Sequence, residues 1–390
     1  MKKLLFVLLL IPFFVTGCGN YSELNDLAIA TGFSVDIEDD EYKVSLLIAN
    51  AKKSQSSAKE GEAQTTVYSG TGKTITDALK EVDKKSPKTM YLGHLSVVII
   101  SEDVAKKGIF EMADYLMRAA ESRKKFYFVI ARDSDAKDVL SIVIPLESFP
   151  SHGIATLIET TNQAQAITTI VPYSKFIANV LVEGKNPVLP SIEIIGDADK
   201  GKSAKALEET NIKSYLKVSS MALFDEDKLV DFATTDESQM INLLSNSSDS
   251  LLTSFKEDGA EIGFNLSNLK TKTKLIDKDH VEIKVTGKAD IREVNDKRNL
   301  ENQKVIAHME ELLNKNITSR INDTIDSLKY KYKTDVLALG NMVYKKYPKV
   351  WEEESKYWDE KYFKKLSIKV STDIKIVSTG SLKQSLKEVK

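Results

Sequence analysis

Cysteine is almost absent from this sequence, because Cys18 is the only one in 390 residues. A single thiol excludes an intrachain disulfide, so no cross-link supports the fold. Histidine is also scarce, with four residues, and no Cys, Asp or Glu stands around them at the spacing of metal ligands. We therefore expect no metal site, no cofactor and no catalytic residue.

Long apolar runs are absent beyond Leu4–Val15, which has twelve residues. A helix of that length reaches only about 18 Å, whereas a bilayer core is about 30 Å thick, so a spanning helix is not expected. Lys2 and Lys3 precede the run, and the small pair Thr16-Gly17 follows it. This order is typical of an export signal, and we predict that residues 1–17 are a cleaved signal peptide.

Cys18 stands directly after the small pair, with the aliphatic Val15 three positions before it. This pattern resembles the lipobox of bacterial lipoproteins, which implies that Cys18 is the lipid attachment site and carries a diacylglyceryl group. Two long acyl chains give a stable membrane anchor, whereas one gives only reversible binding. The alternative is an ordinary secreted protein whose first mature residue is a cysteine.

The charge balance is slightly acidic, with 55 basic and 57 acidic side chains and a net charge of −2. Such a balance suggests neither nucleic acid nor anionic lipid as a partner. The hydrophobic fraction of 42% and the charged fraction of 29% are those of a globular protein. A chain of this length exceeds one hydrophobic core, so two or three domains are expected.

The N-terminal half alternates between strand and helix patterns. Ala28–Val35 and Tyr42–Ile48 flank an acidic turn and predict a hairpin. Thr74 is a predicted helix N-cap, and Leu95–Ile100 and Lys125–Ala131 are apolar runs typical of buried strands. The first sheet should therefore be mixed, since a hairpin is followed by strands that helices separate.

Two further hairpins are predicted beyond residue 184, the first from Ile212–Phe224 with Lys228–Thr234 and the second from Leu266–Asp277 with His280–Glu293. Asp236–Leu244 lies between the hairpins and reads as a short helix. The polar tracts 52–64 and 198–209 are expected to be solvated loops.

Apolar residues at three- and four-residue spacing predict one long amphipathic helix over Asn299–Tyr332. Thr334 is expected to cap the next helix, and Leu366–Ile376 alternates as a half-buried strand does. Three aromatic residues, Trp351, Trp358 and Tyr362, share one predicted helix face; we favour core packing over a partner-binding patch.

Together these patterns predict an α+β (mixed α/β) fold with three domains, each a mixed or antiparallel sheet with packed helices. The predicted boundaries place a signal peptide at 1–17, an N-terminal α/β domain at 18–185, a middle α+β domain at 186–265 and a C-terminal α+β domain at 266–390.

Several short motifs occur in a fixed order along the chain. They are Glu23–Gly32 after Cys18, Tyr91–Leu95, Met117-Arg118 with the turn into Phe126–Ala131, Met221–Phe224 with Asp227–Val230, Thr334–Gly340, Tyr347-Pro348, Trp351, Trp358 and Thr379-Gly380. In their order and spacing these motifs resemble the Ger(x)C lipoproteins, the C subunits of nutrient germinant receptors in endospore-forming bacteria. Two departures are Gly19-Asn20, where the family commonly has Trp-Asp, and Asp231, where it often has glycine.

The resemblance implies a non-enzymatic lipoprotein on the outer surface of the spore inner membrane. It would assemble with a polytopic A subunit and a transporter-like B subunit, and this complex is needed for spores to respond to nutrients. Two other hypotheses stay open at this point. An extracytoplasmic solute-binding lipoprotein would capture a nutrient in a cleft between domains, and an exported hydrolase would need a nucleophile and base.

Three motifs bear on the hydrolase and on ligand binding. Gly70–Thr74 lacks the first glycine of a phosphate loop and is interpreted as the entry to a helix. Ser151 and His152 are adjacent, and neighbours in sequence rarely face each other as nucleophile and base. His94 precedes a buried strand and is expected to be a hydrogen-bonded residue instead of a metal ligand.

Overall fold

Two β-sheets organise the chain, and the computed structural model describes residues 26–50, 64–119, 125–208, 210–257, 259–295 and 298–379. The prediction of a mixed α/β fold is confirmed. The first sheet has the order β3-β2-β1-β5-β6-β7-β8-β9, with β4 paired to β1. Its strands are β1 (Leu27–Glu38), β2 (Glu41–Ala49), β3 (Thr65–Gly72), β4 (Thr89–Tyr91), β5 (Val97–Ser101), β6 (Tyr127–Ala131), β7 (Val188–Gly196), β8 (Ser214–Asp225) and β9 (Lys228–Phe232).

The first sheet is mixed, as predicted. Strands β1 and β2 form the expected antiparallel hairpin, and Asp39 and Asp40 turn the chain with positive φ angles. Strands β1, β5, β6 and β7 then run parallel, and β8 returns antiparallel to β7. Strand β7 was not predicted. Its parallel contact with β6 is short, with Ser191 opposite Ile130 and Ile192 opposite Ala131, and it pairs with β8 along most of its length.

Helices cover both faces of the first sheet, which explains why its central strands are apolar throughout. On one face lie α1 (Ile75–Asp83), α2 (Glu102–Lys107), α3 (Phe110–Arg118) and α6 (Tyr173–Val180). On the other face lie α4 (Ala136–Ser141) and α5 (Pro150–Gln165).

The start of α4 is held by a residue a hundred positions earlier. Asp36 on β1 accepts hydrogen bonds from the backbone N–H groups of Ala136 at 2.7 Å and Lys137 at 3.0 Å. Burial raises the pKa of Asp36 to about 6, although both hydrogen bonds oppose that rise. A strand carboxylate therefore supplies the cap that Asp135, the residue before α4, does not provide.

The second sheet has four strands in the order β10-β11-β12-β13. Strand β10 was not predicted, and β13 confirms the alternating strand predicted near the C-terminus. Helix α9 (Gln303–Asp326) packs its apolar stripe on one face of this sheet. The strands are β10 (Leu251–Glu257), β11 (Ala260–Leu275), β12 (His280–Val294) and β13 (Ser367–Ser378).

The long helix begins at Gln303, with Asn302 as its N-cap, and it becomes a π-helical turn over Ser327–Tyr332. It ends there because Lys333 adopts a left-handed conformation with φ of 54°. The elements that follow are α10 (Leu339–Lys346), α11 (Pro348–Glu354), a 3₁₀ turn (Ser355–Tyr357), a second π-helical turn (Trp358–Tyr362) and α12 (Phe363–Lys365).

The segment 186–265, predicted as a middle domain, contributes to both sheets. Its strands β7, β8 and β9 extend the first sheet, and β10 joins the second. Helix α8 (Thr235–Leu244) shares a hydrophobic core with α9 and the second sheet. The proposed division into three domains stays a prediction. Residues 198–208, expected to be a solvated loop, form a short helix α7 (Ala198–Gly201) and a 3₁₀ turn (Ala204–Leu207).

Candidate functional site

The first sheet meets the C-terminal helices at one tightly packed contact, which we call the junction. It consists of Gly184, Asn186, Asp335, Gly340 and Trp358. Two backbone hydrogen bonds join the sides, from Asn186 N to Asp335 O and from Asn341 N to Gly184 O, both at 3.0 Å. The segment that leads into β7 is therefore tied directly to Asp335, which precedes α10, and to Asn341 in its first turn.

Asp335 is the centre of the junction and is fully buried. Its carboxylate accepts backbone hydrogen bonds from Leu337 at 3.1 Å, Leu339 at 3.2 Å and Gly340 at 2.6 Å. The indole Nε1 of Trp358 donates a fourth at 3.0 Å. Buried carboxylates are costly unless their oxygens are satisfied, and here four donors replace water.

Thr334, predicted as the helix cap, has a different role. Its hydroxyl donates to the carbonyl of Phe224 on β8 at 2.6 Å, and α10 begins only at Leu339. The prediction was wrong because Asp335, one residue later, has two acceptor oxygens and takes the free N–H groups at the helix start. The motif Thr334–Gly340 contained Asp335, and its position before a helix start was the signal that could have identified it.

Two glycines permit the close approach of the chains. Gly184 has φ of 70°, and a Cβ there would lie 2.4 Å from the backbone C of Gly340. A Cβ on Gly340 would lie 2.8 Å from Nε1 of Trp358 and 2.9 Å from the carbonyl oxygen of Gly184. Neither position has room for a side chain, so the junction requires glycine on both sides.

A second carboxyl group, that of Asp359, borders Asp335. It accepts the backbone N–H of Asp335 at 2.5 Å. Burial and the nearby Asp335 charge raise the pKa of Asp359 to about 7, and burial also raises the pKa of Asp335. Asp225, at the end of β8, adds a further negative charge to the surroundings of Asp359, and burial raises its own pKa. Near neutral pH Asp359 therefore retains a proton in a substantial fraction of molecules, whereas a free aspartate would have lost it.

Beside the junction lies a cleft of about 750 Å³, which we call the acidic cleft. Burial lowers the pKa of its Lys185, and the Lys185 ammonium donates to Asn179 at 2.9 Å. The volume suits a small organic ligand or a short peptide segment. Its lining comprises Phe110, Val180–Pro187, Asp225, Glu226, Trp351, Ser355, Lys356 and Trp358–Glu360.

The aromatic residues of the C-terminal helices lie mainly in the core. Trp351 and Trp358 are 6% and 3% exposed, and their ring centroids are 5.2 Å apart. Tyr362 is partly buried against the same core. They do not share one helix face, because Trp351 lies in α11 and the other two in the π-helical turn. Core packing is confirmed, and Trp358 has in addition the polar contact with Asp335.

The structure brings no catalytic set together from the predicted motifs. Ser151 is buried in α5, whereas His152 is exposed. His94 is exposed, with its ring 5.7 Å from Tyr91, and in the described part of the chain it forms no hydrogen bond, so that prediction was wrong. Gly70 and Gly72 pack against α1, Gly72 at Asp77 and Ala78 and Gly70 further along at Ala78–Val82, and the chain enters α1 directly after them.

Cys18, the predicted lipid attachment site, lies outside the described residues, as does all of the predicted loop 52–64 except Gln64. Among the residues that the structure describes, no group of three His, Cys, Asp or Glu side chains could hold a metal ion. Within the same ranges, none of the helices combines the length and apolar character needed to cross a bilayer.

Two family models match the chain in succession. Residues 20–194 match the spore germination protein N-terminal domain, and residues 219–380 match the C-terminal domain described as spore germination B3/GerAC like. Together they cover most of both halves. The first match ends within β7 and the second begins within β8, two strands of the first sheet that lie in the predicted middle domain.

Full-length relatives show the same likeness. The chain is 29% identical to spore germination protein KC of Bacillus subtilis, over 97% of this chain and 96% of that protein. It is 24% identical to spore germination protein B3 of the same organism, over 94% and 95%. The crystal structure of the GerBC protein has the same fold, with a TM-score of 0.53 at 18% identity, and it covers 92% of this chain and 100% of that one.

Proposed function

Because the chain belongs to the GerAC-like family of spore germination proteins, we propose that it is a subunit of a spore nutrient germinant receptor. It acts by assembling with integral membrane A and B subunits and performs no chemistry. The successive match of both family domains along the chain carries this proposal. The junction supports it, because a body whose parts are tied by buried hydrogen bonds can present fixed surfaces to partners.

The proposed subunit is anchored through a diacylglyceryl group on Cys18, on the outer surface of the spore inner membrane. The basic residues, apolar run and small pair before Cys18 support the anchor. Tethering confines the body to a thin layer beside its integral partners. That confinement raises the effective concentration of each for the other, so that weak interfaces suffice for assembly.

Cys18→Ala tests the anchor and the function together in spores. We expect the variant to leave the membrane fraction and the germination response to nutrients to fall strongly. Asn20→Ala, two residues after the anchor, is the matched control and should retain both properties. A membrane-bound Cys18→Ala protein with a full germination response would contradict the proposal.

A second candidate is a solute-binding lipoprotein that captures a nutrient directly, and the acidic cleft is the observation that favours it. Its volume of about 750 Å³ and its tryptophan rings suit a small solute. Isothermal titration with amino acids and sugars separates the two candidates. Heat of binding that Asp359→Asn abolishes would support direct capture, and no heat with any of them would remove this candidate.

A further inference from the structure

On strands β11, β12 and β13, the face of the second sheet that points away from α9 carries seven exposed lysines. Strand alternation sends every second residue of β11, β12 and β13 to this side, while the residues between them enter the core. We call this surface the lysine face. Its members are Lys270, Lys272 and Lys274 on β11, Lys284 and Lys288 on β12, and Lys369 and Lys375 on β13.

The strand register places some of these lysines directly opposite each other. Lys272 faces Lys284 across β11 and β12, and Lys288 faces Lys375 across β12 and β13. Like charges in directly opposed positions destabilise a sheet. These two lysine pairs therefore lower the stability of the fold, which uncharged residues at the same positions would not do.

Little negative charge compensates the lysines. The acidic residues on the same stretch of the face are Asp373 and Glu282, and the strand register places Glu282 between Lys274 and Lys369. Lys375 pairs with Asp373 at 3.4 Å and reaches Glu310 of α9 at 2.8 Å. The other six lysines form no ion pair with any residue in the described ranges. The face thus presents a concentrated positive charge to solvent, although the whole chain has a net charge of −2.

We propose that the lysine face docks on the anionic lipid headgroups of the membrane to which the chain is tethered. This inference rests on the proposed anchor at Cys18. Each lysine near an anionic membrane contributes about 1 kcal/mol of attraction, which is about fivefold in binding. The lipid on Cys18 keeps the body within reach of that surface, so a modest attraction is enough to orient it.

The chemistry of the face favours a lipid surface over a protein partner. Protein interfaces are enriched in Trp, Tyr and Arg and depleted in Lys. The seven basic residues clustered here are lysines with no aromatic residue among them, and Arg292 lies further along β12. Lysine is a flexible point charge without the paired geometry of arginine, so it suits a diffuse layer of headgroups. The net charge of the chain predicted no anionic lipid partner, because a sum over the sequence conceals a local excess.

The test uses the full lipidated chain in vesicles and one fluorophore. Since Cys18 carries the lipid, an introduced cysteine is the only free thiol and can be labelled alone. Ser371→Cys places the label on the lysine face, opposite Lys284. Glu311→Cys places it on the exposed side of α9, across the same unit, as the matched control. A nitroxide on the lipid headgroups quenches a label that lies near the membrane.

We expect strong quenching at Ser371→Cys in equimolar phosphatidylcholine and phosphatidylglycerol, little in phosphatidylcholine alone, and little at Glu311→Cys in either. Quenching should fall at about 1 M salt, where the screening length is about 3 Å. Lys272→Glu with Lys288→Glu should lower docking at least about tenfold. This pair replaces like-charge contacts with opposite-charge ones, so folding is preserved. Lys304→Glu with Lys315→Glu, on exposed α9 positions, changes the charge equally and should have little effect.

Two outcomes would overturn the inference. One is equal quenching at the two labels, or quenching independent of phosphatidylglycerol. The other is absent quenching in anionic vesicles while the Lys272→Glu, Lys288→Glu protein loses its integral partners, which would assign the face to an acidic protein segment. Flotation of the vesicles reports the Cys18 anchor separately, so failure of docking and failure of anchoring are distinguishable.

Discussion

The junction and the lysine face treat charge in opposite ways. At the junction, the buried carboxylate of Asp335 is held by three backbone N–H groups and an indole. On the lysine face, exposed cations lie opposite one another with few carboxylates between them. All the donors to Asp335 come from the chain itself, so we assign the junction a role in the stability of the fold. The second leaves a positive surface unmatched, which indicates a partner outside the chain.

The largest effect on stability should come from removing the Asp335 carboxylate from the junction. Asp335→Ala leaves three backbone N–H groups and the Trp358 indole buried without an acceptor, and we expect a loss of about 3 to 5 kcal/mol in the free energy of unfolding. Urea unfolding measures it. Asp323→Ala, at an exposed position of α9, is the control and should change stability by less than about 0.5 kcal/mol. Equal losses would show that the junction contributes little.

The effect on stability of the close approach at Gly184 can be separated from the effect of its positive φ angle. Gly184→Ala and Gly259→Ala both place alanine at positive φ, 70° and 84°, but the second has nothing within 4 Å of the new Cβ. We expect a loss of about 1 kcal/mol at Gly259 and about 3 kcal/mol or more at Gly184. Thermal unfolding of the two variants supplies the comparison, and similar losses would remove the steric argument.

The carboxyl pair at the junction predicts a pH dependence. The pKa of Asp359 is raised from 3.8 to about 7 in the folded protein, so the folded state binds more protons between these values. The contribution of Asp359 to stability should therefore fall as the pH rises through this window, and it is smallest above pH 7. Because Asp359 is only partly buried, we expect its share of the fall to be on the order of 2 kcal/mol.

Asp359→Asn should remove that share and gain stability relative to the unaltered chain at pH 8 but not at pH 5. Denaturant unfolding at the two pH values measures the difference. Asp36 also has a raised pKa, of about 6, so some dependence should persist in the variant. An unchanged slope would show that Asp359 does not titrate in this range.

The smallest effect on stability is expected from a single charge change on the lysine face. Lys272→Glu turns the pair with Lys284 into an attraction, and we expect a gain of about 0.2 to 1 kcal/mol that salt reduces. Lys270→Glu, opposite the uncharged Thr286, should give less. Chemical unfolding at low and high salt compares them. Equal changes would show that the register does not place the charges as described.

Much of the fold could be predicted because it depends on local patterns. The hairpins around Asp39 and Asp277 and the stripe of α9 were visible in the spacing of apolar residues. Strand β10 was missed, since only its pairing with β11 distinguishes it from a loop. The junction could not be predicted, because Gly184, Asp335 and Trp358 are far apart in the sequence and only the fold brings them together.

The lysine face could be predicted from the sequence only in part. Its alternation at 270, 272 and 274 was visible in the sequence. The facing of Lys272 with Lys284 required the strand register, and the exposure of that side required knowing where α9 packs.

The most direct test of the proposed function is the mass of the N-terminal peptide of the protein isolated from spore membranes. A lipid-tethered subunit predicts a peptide that begins at Cys18 and carries a diacylglyceryl group. An unmodified Cys18, or a peptide that still contains residues 1–17, would contradict the anchor and the docking that depends on it.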